Sequence, residues 1–493
     1  MADRNIYLRT VPAAEAVERA KAALDRDALM AEEPVPSQEA AGRVLAEPVF
    51  ARCSSPTYHA AAMDGIAVVA EDTFAAREGS PVTLAPGGFD WVNTGQPLPT
   101  GRDAVVMVEH VETDGESVRL QAPAYPWQHV RRIGEDIVAT ELLLPRHTRL
   151  TPYDVGALLS AGVWEVPCIE RVRLTFIPTG DEVLDFRTRP QPGPGQVVES
   201  NSQVFAALAR AWGAEATCLP PVADDADALQ AAAEQALAEG AHVVVLGAGS
   251  SAGSKDYTKA VFERLGEVLV HGIAVMPGKP TLLGAAEGRL LVGAPGYPVS
   301  SVVCFEDVLA PVVHWLGRRP APRRRTATVA LARKTPSKPG MEEVLRLAVG
   351  RVGDELVAAP LGRGAGLLTT LTKAQAITRI PPGSEGIARG ERVTAELLVE
   401  DEDLDRVLVH VGSHDNTLDL LADALMALDE PMKLVSSHVG SMGGLTALRD
   451  GAALVAGCHL FDPAGGDFNF PFFKRALGDE IGRASCRERV CHR

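Results

Sequence analysis

The sequence predicts a multidomain α/β protein, and three observations support this fold class. Residues 171–318 alternate strand and helix patterns in the regular manner of a doubly wound sheet. Residues 51–141 contain short strand patterns interrupted by Gly and Pro, as in a small β-rich domain. The chain of 493 residues is also long enough for about three or four domains.

The N-terminal part predicts a helical and extended domain into which the β-rich domain is inserted. Apolar residues recur at helical spacing in three segments, residues 13–29, 37–46 and 151–162. We therefore assign residues 1–50 and 142–170 to one domain, and residues 51–141 to the insertion.

The α/β domain, residues 171–318, presents polar residues where its strands end. Ligands of open α/β sheets bind outside the carboxyl ends of the strands. In this sequence those ends carry Thr179 to Glu182, Gly247 to Asp256, and Gly293 to Gly296. The helix that follows residue 200 has Asn201 as its predicted N-cap.

The loop after the apolar run at residues 242–246 contains three glycines and three serines. Gly247, Gly249 and Gly253 allow backbone N–H groups to converge on an anion such as phosphate. Asp256, near the start of the next helix, can cap that helix or hold a divalent cation. An ordinary Gly-rich turn explains the loop equally well, because its glycines fit neither the Rossmann nor the P-loop spacing.

Two further regions follow the α/β domain. Residues 318–325 (RRPAPRRR) have the composition of a linker, and residues 326–400 contain short alternating runs that predict a small β-barrel or sandwich. We therefore assign residues 319–400 to one domain. Residues 405–478 then show strand, loop and helix twice, which predicts a partial α/β domain.

Composition excludes several function classes. The net charge of −16 argues against nonspecific binding to nucleic acid or anionic lipid. The sequence has no uninterrupted apolar run of about 18 residues, and its first residues lack the apolar stretch of a signal peptide. The seven cysteines are scattered and form no CxxC pair. This pattern argues against a disulfide framework and favours a protein of the reducing cytoplasm.

Seven motifs occur in the order seen in one family. They are MDG at 63–65, NTGQPLP at 93–99, VRRIGEDI at 130–137, PTGDE at 178–182, SNS at 200–202, PGKP at 277–280 and APGYPVS at 294–300. By these motifs the chain resembles the molybdopterin molybdenumtransferases, also known as the gephyrin E-domain family. The resemblance implies the four domains outlined above, with residues 171–318 as the molybdopterin-binding domain, and a homodimer.

The resemblance also implies an activity. Members of the family insert molybdate into the dithiolene of adenylylated molybdopterin and release AMP, with help from a divalent cation, commonly Mg²⁺. An adenylylated pterin carries a pyrophosphate, so its site needs N–H donors, positive charge and carboxylates. A molybdopterin adenylyltransferase, which would supply the substrate, is the partner that this activity suggests.

The residues that match the family's motifs divide into two sets. In the α/β domain, the predicted cofactor-binding residues are Gly247, Gly249, Ser250, Ser251, Gly253, Lys279, Pro295 and Gly296, and the predicted metal ligands are Asp181, Glu182 and Asp256. Across the implied dimer cleft, the β-rich domain offers Asp64, Thr94, Arg131, Glu135 and Asp136. The predicted catalytic residues are Asp64, Thr94, Arg131, Asp136, Glu182 and Asp256. Arg131 is the predicted anion contact, because a guanidinium matches a tetrahedral oxyanion.

Taken one at a time, these residues have simpler structural explanations. Asp64 with Gly65 is a common turn pair, Thr94 could end a strand, and Glu135 and Asp136 could belong to a solvated loop. Asp224 could cap a helix. Pro295 and Gly296 are expected to shape their loop without taking part in the chemistry.

The chain departs from the family pattern at several positions. Gly272 and Met276 stand where lysines are often found, so the pocket is less basic than usual. The Gly-rich loop reads AGSSAG where many members have GGVSVG. Tyr297 replaces a common asparagine, and Ala365 replaces a common serine. These differences leave the anion contacts open.

Residues 405–478 resemble part of a periplasmic-binding-protein-like module, related to LysR effector domains, that is fused to some family members. Such modules grip small anions with Ser side chains and backbone N–H groups at helix N-termini. Ser413, Ser441 and Gly443 are the candidate ligands here, for molybdate or tungstate, and a simple interaction lobe is an equally good interpretation. Residues 479–493 lack apolar periodicity and are expected to be a non-native tail.

Two alternatives to the enzyme therefore stay open from the sequence. A molybdate- or tungstate-binding regulator would depend on residues 405–478. A scaffold protein would bind partners through residues 319–400 and make no cofactor. The retained carboxylates and Gly-rich loop favour the enzyme, because a pure scaffold could have lost them.

Overall fold

The structure is a computed structural model that describes residues 10–248 and 257–478. These residues form two compact units. One comprises the described parts of Met1–Leu29, Val172–Leu316 and Pro320–Arg493. The other comprises Met30–Arg171 and Gly317–Arg319. Each unit is taken in turn below.

The first helices of the chain belong to the unit that contains the α/β domain. They are α1 (Ala13–Ala22) and α2 (Arg26–Leu29). Helix α1 buries Ala16, Val17 and Ala20, and it packs against the segment Phe305–Leu309. The sequence had grouped residues 1–50 with residues 142–170. In the structure, the apolar face of α1 is covered by the α/β domain.

The other unit holds one helix and twelve short strands. They are β1 (Glu32–Pro36), β2 (Val49–Phe50), β3 (Ala60–Ala61), β4 (Gly65–Val68), β5 (Val82–Leu84), β6 (Phe89–Val92), β7 (Ala104–Met107), β8 (Glu112–Asp114), β9 (Ser117–Leu120), β10 (Val130–Arg131), β11 (Leu142–Leu144), α3 (Pro152–Ser160) and β12 (Glu165–Ile169). Strand β1 pairs with β12, and β2 with β11, so the segments on either side of the insertion are joined by strands. Residues 37–46 do not form the predicted helix, because only Ser37–Glu39 makes a 3₁₀ turn before the chain extends.

The inserted domain is built from two three-stranded antiparallel sheets, with orders β6-β4-β7 and β5-β9-β8. Their inner faces share one apolar core that includes Ile66, Val68, Leu84, Val106 and Val118. The separate pair β3 and β10 carries Arg131 opposite Ala60. This small core therefore supports strands whose ends bear the polar motif residues.

The α/β domain follows. Its elements are β13 (Arg173–Pro178), β14 (Val183–Leu184), β15 (Val197–Val198), α4 (Asn201–Ala211), β16 (Glu215–Cys218), α5 (Ala226–Ala238), β17 (Val243–Ala248), α6 (Tyr257–Leu265), β18 (Glu267–His271), β19 (Val275–Met276), β20 (Leu282–Ala286), β21 (Arg289–Pro295), α7 (Pro298–Cys304) and α8 (Ala310–Leu316). The main sheet has the order β16-β13-β17-β21-β20-β18. It is mixed, since β20 runs antiparallel to both of its neighbours.

Helices cover both faces of this sheet, as the doubly wound pattern predicts. Side chains alternate along β13, so that Ile177 joins the core beneath α5 and α6 while Phe176 contacts Phe205 and Phe305 on the other face. Helices α7 and α8 are joined by a π-helical segment into one run, Pro298–Leu316. Among the described residues this is the one helix long and apolar enough to span a membrane, and 78% of it is buried within the protein. Here it serves as a core helix.

The predicted barrel is confirmed. Its region contains β22 (Thr326–Leu331), β23 (Thr335–Pro336), β24 (Glu342–Val352), β25 (Glu355–Pro360), α9 (Thr369–Lys373), β26 (Ala376–Ile380), β27 (Gly386–Ile387) and β28 (Arg392–Leu397). Five strands pair in the order β24-β25-β22-β28-β26, and β26 pairs back with β24. The sheet therefore closes on itself around Val329, Leu345, Leu347 and Ala395.

The C-terminal segment forms a small α/β layer. Its elements are α10 (Asp401–Leu404), β29 (Val407–Gly412), α11 (Thr417–Met426), β30 (Lys433–His438), α12 (Ser441–Arg449), β31 (Phe461–Asp462), β32 (Asp467–Phe468) and α13 (Phe470–Leu477). Strands β29 and β30 are parallel, as the repeated strand–loop–helix pattern predicts. Val409 and Val435 share a core with Ala348 and Ala359 of the barrel, so this layer packs on the barrel's outer face.

Candidate active site

Asp64 is held in place by the motif that follows it by about thirty residues. Its Oδ1 accepts hydrogen bonds from the backbone N–H of Thr94 at 2.6 Å and from the Thr94 hydroxyl at 2.9 Å. These two bonds hold the pKa of the Asp64 carboxyl below its ordinary value. The structure thus gives Asp64 and Thr94 one shared geometry, and leaves an ionised, exposed carboxylate at the surface of the β-rich domain.

The position of Asp64 is set by the glycine that follows it. A Cβ built on Gly65 would lie 1.9 Å from the carbonyl oxygen of Val106, in the neighbouring strand β7. Strands β4 and β7 approach this closely only with glycine here. The backbone N–H of Val108 also donates to the Asp64 carbonyl at 2.9 Å. The Asp-Gly pair is therefore part of a strand start and not a free turn.

Arg131 lies near Thr94. Both line a pocket of about 350 Å³ in the β-rich unit. The residues around it are Ser54, Ser55, Pro56, Thr57, Tyr58, Ala60, Ala61, Ala62, Thr94, Gly95, Arg131 and Ser160. The hydroxyl of Tyr58 donates to the carbonyl of Gly95 at 3.1 Å, which ties the Thr94 turn to this wall. Ser54, Ser55 and Tyr58 were missed from the sequence, although they stand directly before the MDG motif.

Glu135 and Asp136 lie beside Arg131 but have different surroundings. The Glu135 carboxylate is 3.5 Å from Nε of Arg131, and it accepts from the backbone N–H of Arg132 at 3.0 Å. Both side chains of the Arg131 pair are about half exposed, so the pair is weak and can exchange for another anion. Asp136 is exposed, and its backbone N–H donates to Ser55 at 3.0 Å.

In the α/β domain, the carboxyl ends of three parallel strands lie side by side. Pro178 is in register with Gly247, and Gly247 with Ala294. The Thr179 hydroxyl donates to the Gly247 carbonyl at 3.0 Å, which closes β13 against β17. A Cβ on Gly247 would lie 2.7 Å from Cζ of Phe176, so packing alone already requires glycine there.

Asp181 and Glu182 follow directly at this edge and are both exposed. Asp181 Oδ1 accepts from the backbone N–H of Asp224 at 3.2 Å. The carboxylate of Glu182 folds back over Gly180, where Oε2 would lie 2.9 Å from an added Cβ. The cap of α5 is Asp225, whose Oδ1 accepts from two helix N–H groups, so Asp224 does not cap this helix.

The turn at Pro295 and Gly296 is fixed by the neighbouring helix. The side-chain amide of Asn201 donates to the Gly296 carbonyl at 2.8 Å. The sequence predicts Asn201 as the N-cap of α4, but in the structure Asn201 is the first residue of this helix. Buried Glu199 takes the capping role instead, since its carboxylate accepts from the backbone N–H of Ser202 at 2.7 Å and from its hydroxyl at 2.5 Å.

Lys279 lies in an exposed turn, and its carbonyl accepts from Ile273 N–H at 2.9 Å. Five of the predicted residues, Gly249, Ser250, Ser251, Gly253 and Asp256, lie outside the described residues, as do residues 479–493. Within residues 10–248 and 257–478, no cluster of three or more His, Cys, Asp or Glu side chains has the arrangement of a metal site.

The C-terminal layer brings its two candidate serines together. The hydroxyls of Ser413 and Ser441 are 2.8 Å apart, and Ser441 accepts from the backbone N–H of His459 at 3.0 Å. Gly443 lies in the first turn of α12. The rings of His414 and His438 stack nearby, 4.2 Å between centroids.

Comparisons with known families cover most of the chain. The description "MoeA N-terminal region (domain I and II)" matches residues 11–162, and "Probable molybdopterin binding domain" matches residues 175–315. "MoeA C-terminal region (domain IV)" matches residues 328–398, and "PBP superfamily domain" matches residues 422–487. The order of these regions agrees with the order of the motifs.

Individual relatives agree. Molybdopterin molybdenumtransferase 2 of Mycobacterium tuberculosis (strain H37Rv) is 33% identical over 337 residues, which cover 63% of this chain and 82% of that protein. The molybdopterin molybdenumtransferase of Haemophilus influenzae is 32% identical over 56% of this chain and 70% of that protein. A crystal structure of the molybdopterin biosynthesis MoeA protein from Pyrococcus horikoshii is 30% identical with a TM-score of 0.67, covering 80% of this chain and 100% of that one. The chain therefore belongs to the molybdopterin molybdenumtransferase family.

Proposed function

We propose that this protein is a molybdopterin molybdenumtransferase, which inserts molybdate into adenylylated molybdopterin and releases AMP in molybdenum cofactor biosynthesis. The observation that carries the proposal is the arrangement in the β-rich domain, where Thr94 and Arg131 line one pocket and Thr94 also binds the carboxylate of Asp64. A hydroxyl, a guanidinium and an anchored carboxylate together suit an oxyanion next to a polar ring.

The β-rich surface, which bears Asp64, Thr94 and Arg131, and the carboxyl edge of the α/β sheet supply different parts of this chemistry. Arg131 is half exposed and held by one weak ion pair, so molybdate or a substrate phosphate can displace Glu135. Asp64, with Thr94, is suited to accept hydrogen bonds from the amide and amino groups of the pterin. In the α/β domain, Gly247 and the Gly-rich loop after it supply backbone donors for the pyrophosphate, and Lys279 supplies positive charge.

A divalent cation, with Mg²⁺ as the first candidate, completes the proposal. Mg²⁺ is commonly held by one or two carboxylates together with substrate phosphates, so it does not need a preformed cluster of three protein ligands. Asp181 and Glu182 are exposed carboxylates at the sheet edge, and Asp256 is the third candidate from the sequence. When bound, the cation would offset the negative charge of the pyrophosphate as AMP leaves.

We further propose that the β-rich surface of one subunit and the sheet edge of its partner act on one substrate molecule in a homodimer. In the part of the chain that the structure describes, each of these two surfaces supplies a different share of the groups that the reaction needs. A molybdopterin adenylyltransferase would hand over the adenylylated substrate, and the reducing cytoplasm suits a dithiolene. We also propose that the domain boundaries predicted from the sequence are those of the functional protein.

The test is release of AMP from adenylylated molybdopterin by the purified full chain. We expect release only when both molybdate and Mg²⁺ are present, and we expect chelation by EDTA to stop it. The measurement is chromatographic quantification of AMP against time, with molybdate omitted as the control. A protein that bound molybdate but released no AMP would instead be the regulator considered from the sequence, and one that did neither would favour the scaffold.

A further inference from the structure

Arg346, in the middle of β24, is the largest fully buried side chain among the described residues, with 1% of its surface exposed. Burying a guanidinium is costly unless its N–H groups are satisfied. Here Nη2 donates to the Gly362 carbonyl at 2.7 Å, Nη1 donates to the Val344 carbonyl at 3.2 Å, and Nε donates to the Thr370 hydroxyl at 3.2 Å. Burial lowers the pKa of Arg346 from its ordinary value.

These contacts fasten a loop to the barrel. We call residues 362–368 the barrel loop. Arg346 binds its first residue, Gly362, and the Thr370 hydroxyl donates to the carbonyl of Leu367 at 2.7 Å near its other end. Two donors of one planar guanidinium therefore join strand β24 to both ends of the loop, Nη2 directly at Gly362 and Nε through the Thr370 hydroxyl. A lysine, with its single nitrogen, could not present this fork.

The barrel loop reaches the carboxyl edge of the α/β sheet. The carbonyl of Ala365 accepts from the backbone N–H of Val299 at 2.9 Å, in the first turn of α7. An added Cβ on Gly366 would lie 3.4 Å from Cδ1 of Tyr297. The loop thus touches the residues that directly follow Pro295 and Gly296.

The turn at Gly296 is consequently held from two sides. Asn201 binds the carbonyl of Gly296 from α4, and the barrel loop binds Val299 and passes close to the ring of Tyr297. Tyr297 remains 68% exposed. Its ring therefore has the barrel loop beside it, while most of its surface faces outwards at the edge where the substrate is proposed to bind.

We propose that Arg346 is a positioning residue for this reaction, which acts through the barrel loop to fix Tyr297 and the Gly296 turn for substrate binding. The inference rests on the proposed function for its kinetic part only. Arg346 itself is buried and touches no substrate. Its contribution is to keep the distant turn in one geometry, and small misplacements of binding groups are known to be costly in catalysis.

The experiment compares Arg346→Met with Arg351→Met in the full chain. Arg351 lies on the same strand, but its guanidinium is exposed and bound to Asp405 at 2.5 Å, far along the strand from the loop. Hydrogen exchange followed by mass spectrometry reads out residues 296–302 and 362–368 without any need for activity. In Arg346→Met we expect exchange in both segments to become about tenfold faster, while strands β24 and β25 stay protected.

The kinetic readout separates positioning from a general loss of structure. We expect Arg346→Met to raise KM for adenylylated molybdopterin about tenfold with a smaller change in kcat, Arg346→Lys to restore part of this, and Arg351→Met to match wild type. If Arg346→Met does not fold, Thr370→Val replaces it in the experiment. This variant removes the hydroxyl that links Arg346 to Leu367 but keeps the guanidinium, and we expect the same changes in exchange and KM to a smaller extent.

Faster exchange in residues 362–368 with unchanged exchange in residues 296–302 would overturn the proposal, because Arg346 would then order only its own loop. An unchanged KM in Arg346→Met, with faster exchange in both segments, would also overturn it. If wild type itself released no AMP, the proposed function would fail, while the exchange comparison would still decide whether Arg346 positions the Gly296 turn.

Discussion

We expect Asp64→Ala to lower kcat/KM for molybdate-dependent AMP release by about a thousandfold while the protein stays folded. The carboxylate is exposed and makes its hydrogen bonds to Thr94, a residue of the proposed pocket. Its removal leaves no buried group without a partner, so folding should be little affected. The measurement is AMP release, with circular dichroism and thermal unfolding of the same samples.

The pKa of Asp64 adds a pH expectation to this result. Because Thr94 lowers it, the stabilisation from these bonds is present above the ordinary pKa of an aspartate and is lost only as the pH falls through the lowered value. Asp64 therefore stays ionised through the neutral range, and the activity should not titrate with it there. Asp72→Ala, which removes another exposed carboxylate of the same domain, is the matched control and should leave kcat/KM unchanged. An Asp64→Ala enzyme with full activity would refute the role.

We expect Gly65→Ala to destabilise the unit that contains the β-rich domain by about 3 kcal/mol. The new Cβ would lie 1.9 Å from the carbonyl oxygen of Val106, and this backbone atom belongs to a paired strand that cannot move without breaking its ladder. Asp64 would be displaced with it, so activity should fall as well. Urea unfolding monitored by tryptophan fluorescence measures the change.

Gly156→Ala is the control for this substitution. Gly156 lies in α3 of the same unit, and an added Cβ there meets no atom within 4 Å. Alanine is the better helix former, so this change should stabilise the unit by up to about 1 kcal/mol. If both substitutions had the same small effect, the close approach of β4 and β7 would not be the reason for glycine at position 65.

Local patterns in the sequence predicted much of the fold. The alternation of apolar residues predicted β13, β17 and β21, and the strand–helix order placed their carboxyl ends together. The runs after residue 326 predicted strands that close into a barrel. The sequence also placed Asp64, Thr94 and Arg131 in one domain, and the structure brings Thr94 and Arg131 to one pocket.

What the sequence did not predict depends on contacts between distant segments. Helix α1 has an apolar face that any neighbouring core could cover, and only the tertiary fold assigns it to the α/β domain. Glu199 caps α4 although glutamate is not a usual capping residue, and Asn201 is thereby free to bind Gly296. Arg346 looks like an ordinary polar residue of a strand, because nothing near it in sequence signals the loop it holds.

The most direct test of the central claim combines two variants in one dimer, each of which we expect to be inactive on its own. Asp64→Ala changes the β-rich surface, and Asp256→Ala changes the carboxylate predicted for the α/β domain. The two chains are co-expressed with different tags, and the mixed dimer is purified through both. If one site is built from the β-rich surface of one subunit and the sheet edge of its partner, each mixed dimer has one intact site and one doubly altered site, and its rate of AMP release should be about half that of wild type. A mixed dimer as inactive as the two variants alone would contradict the account.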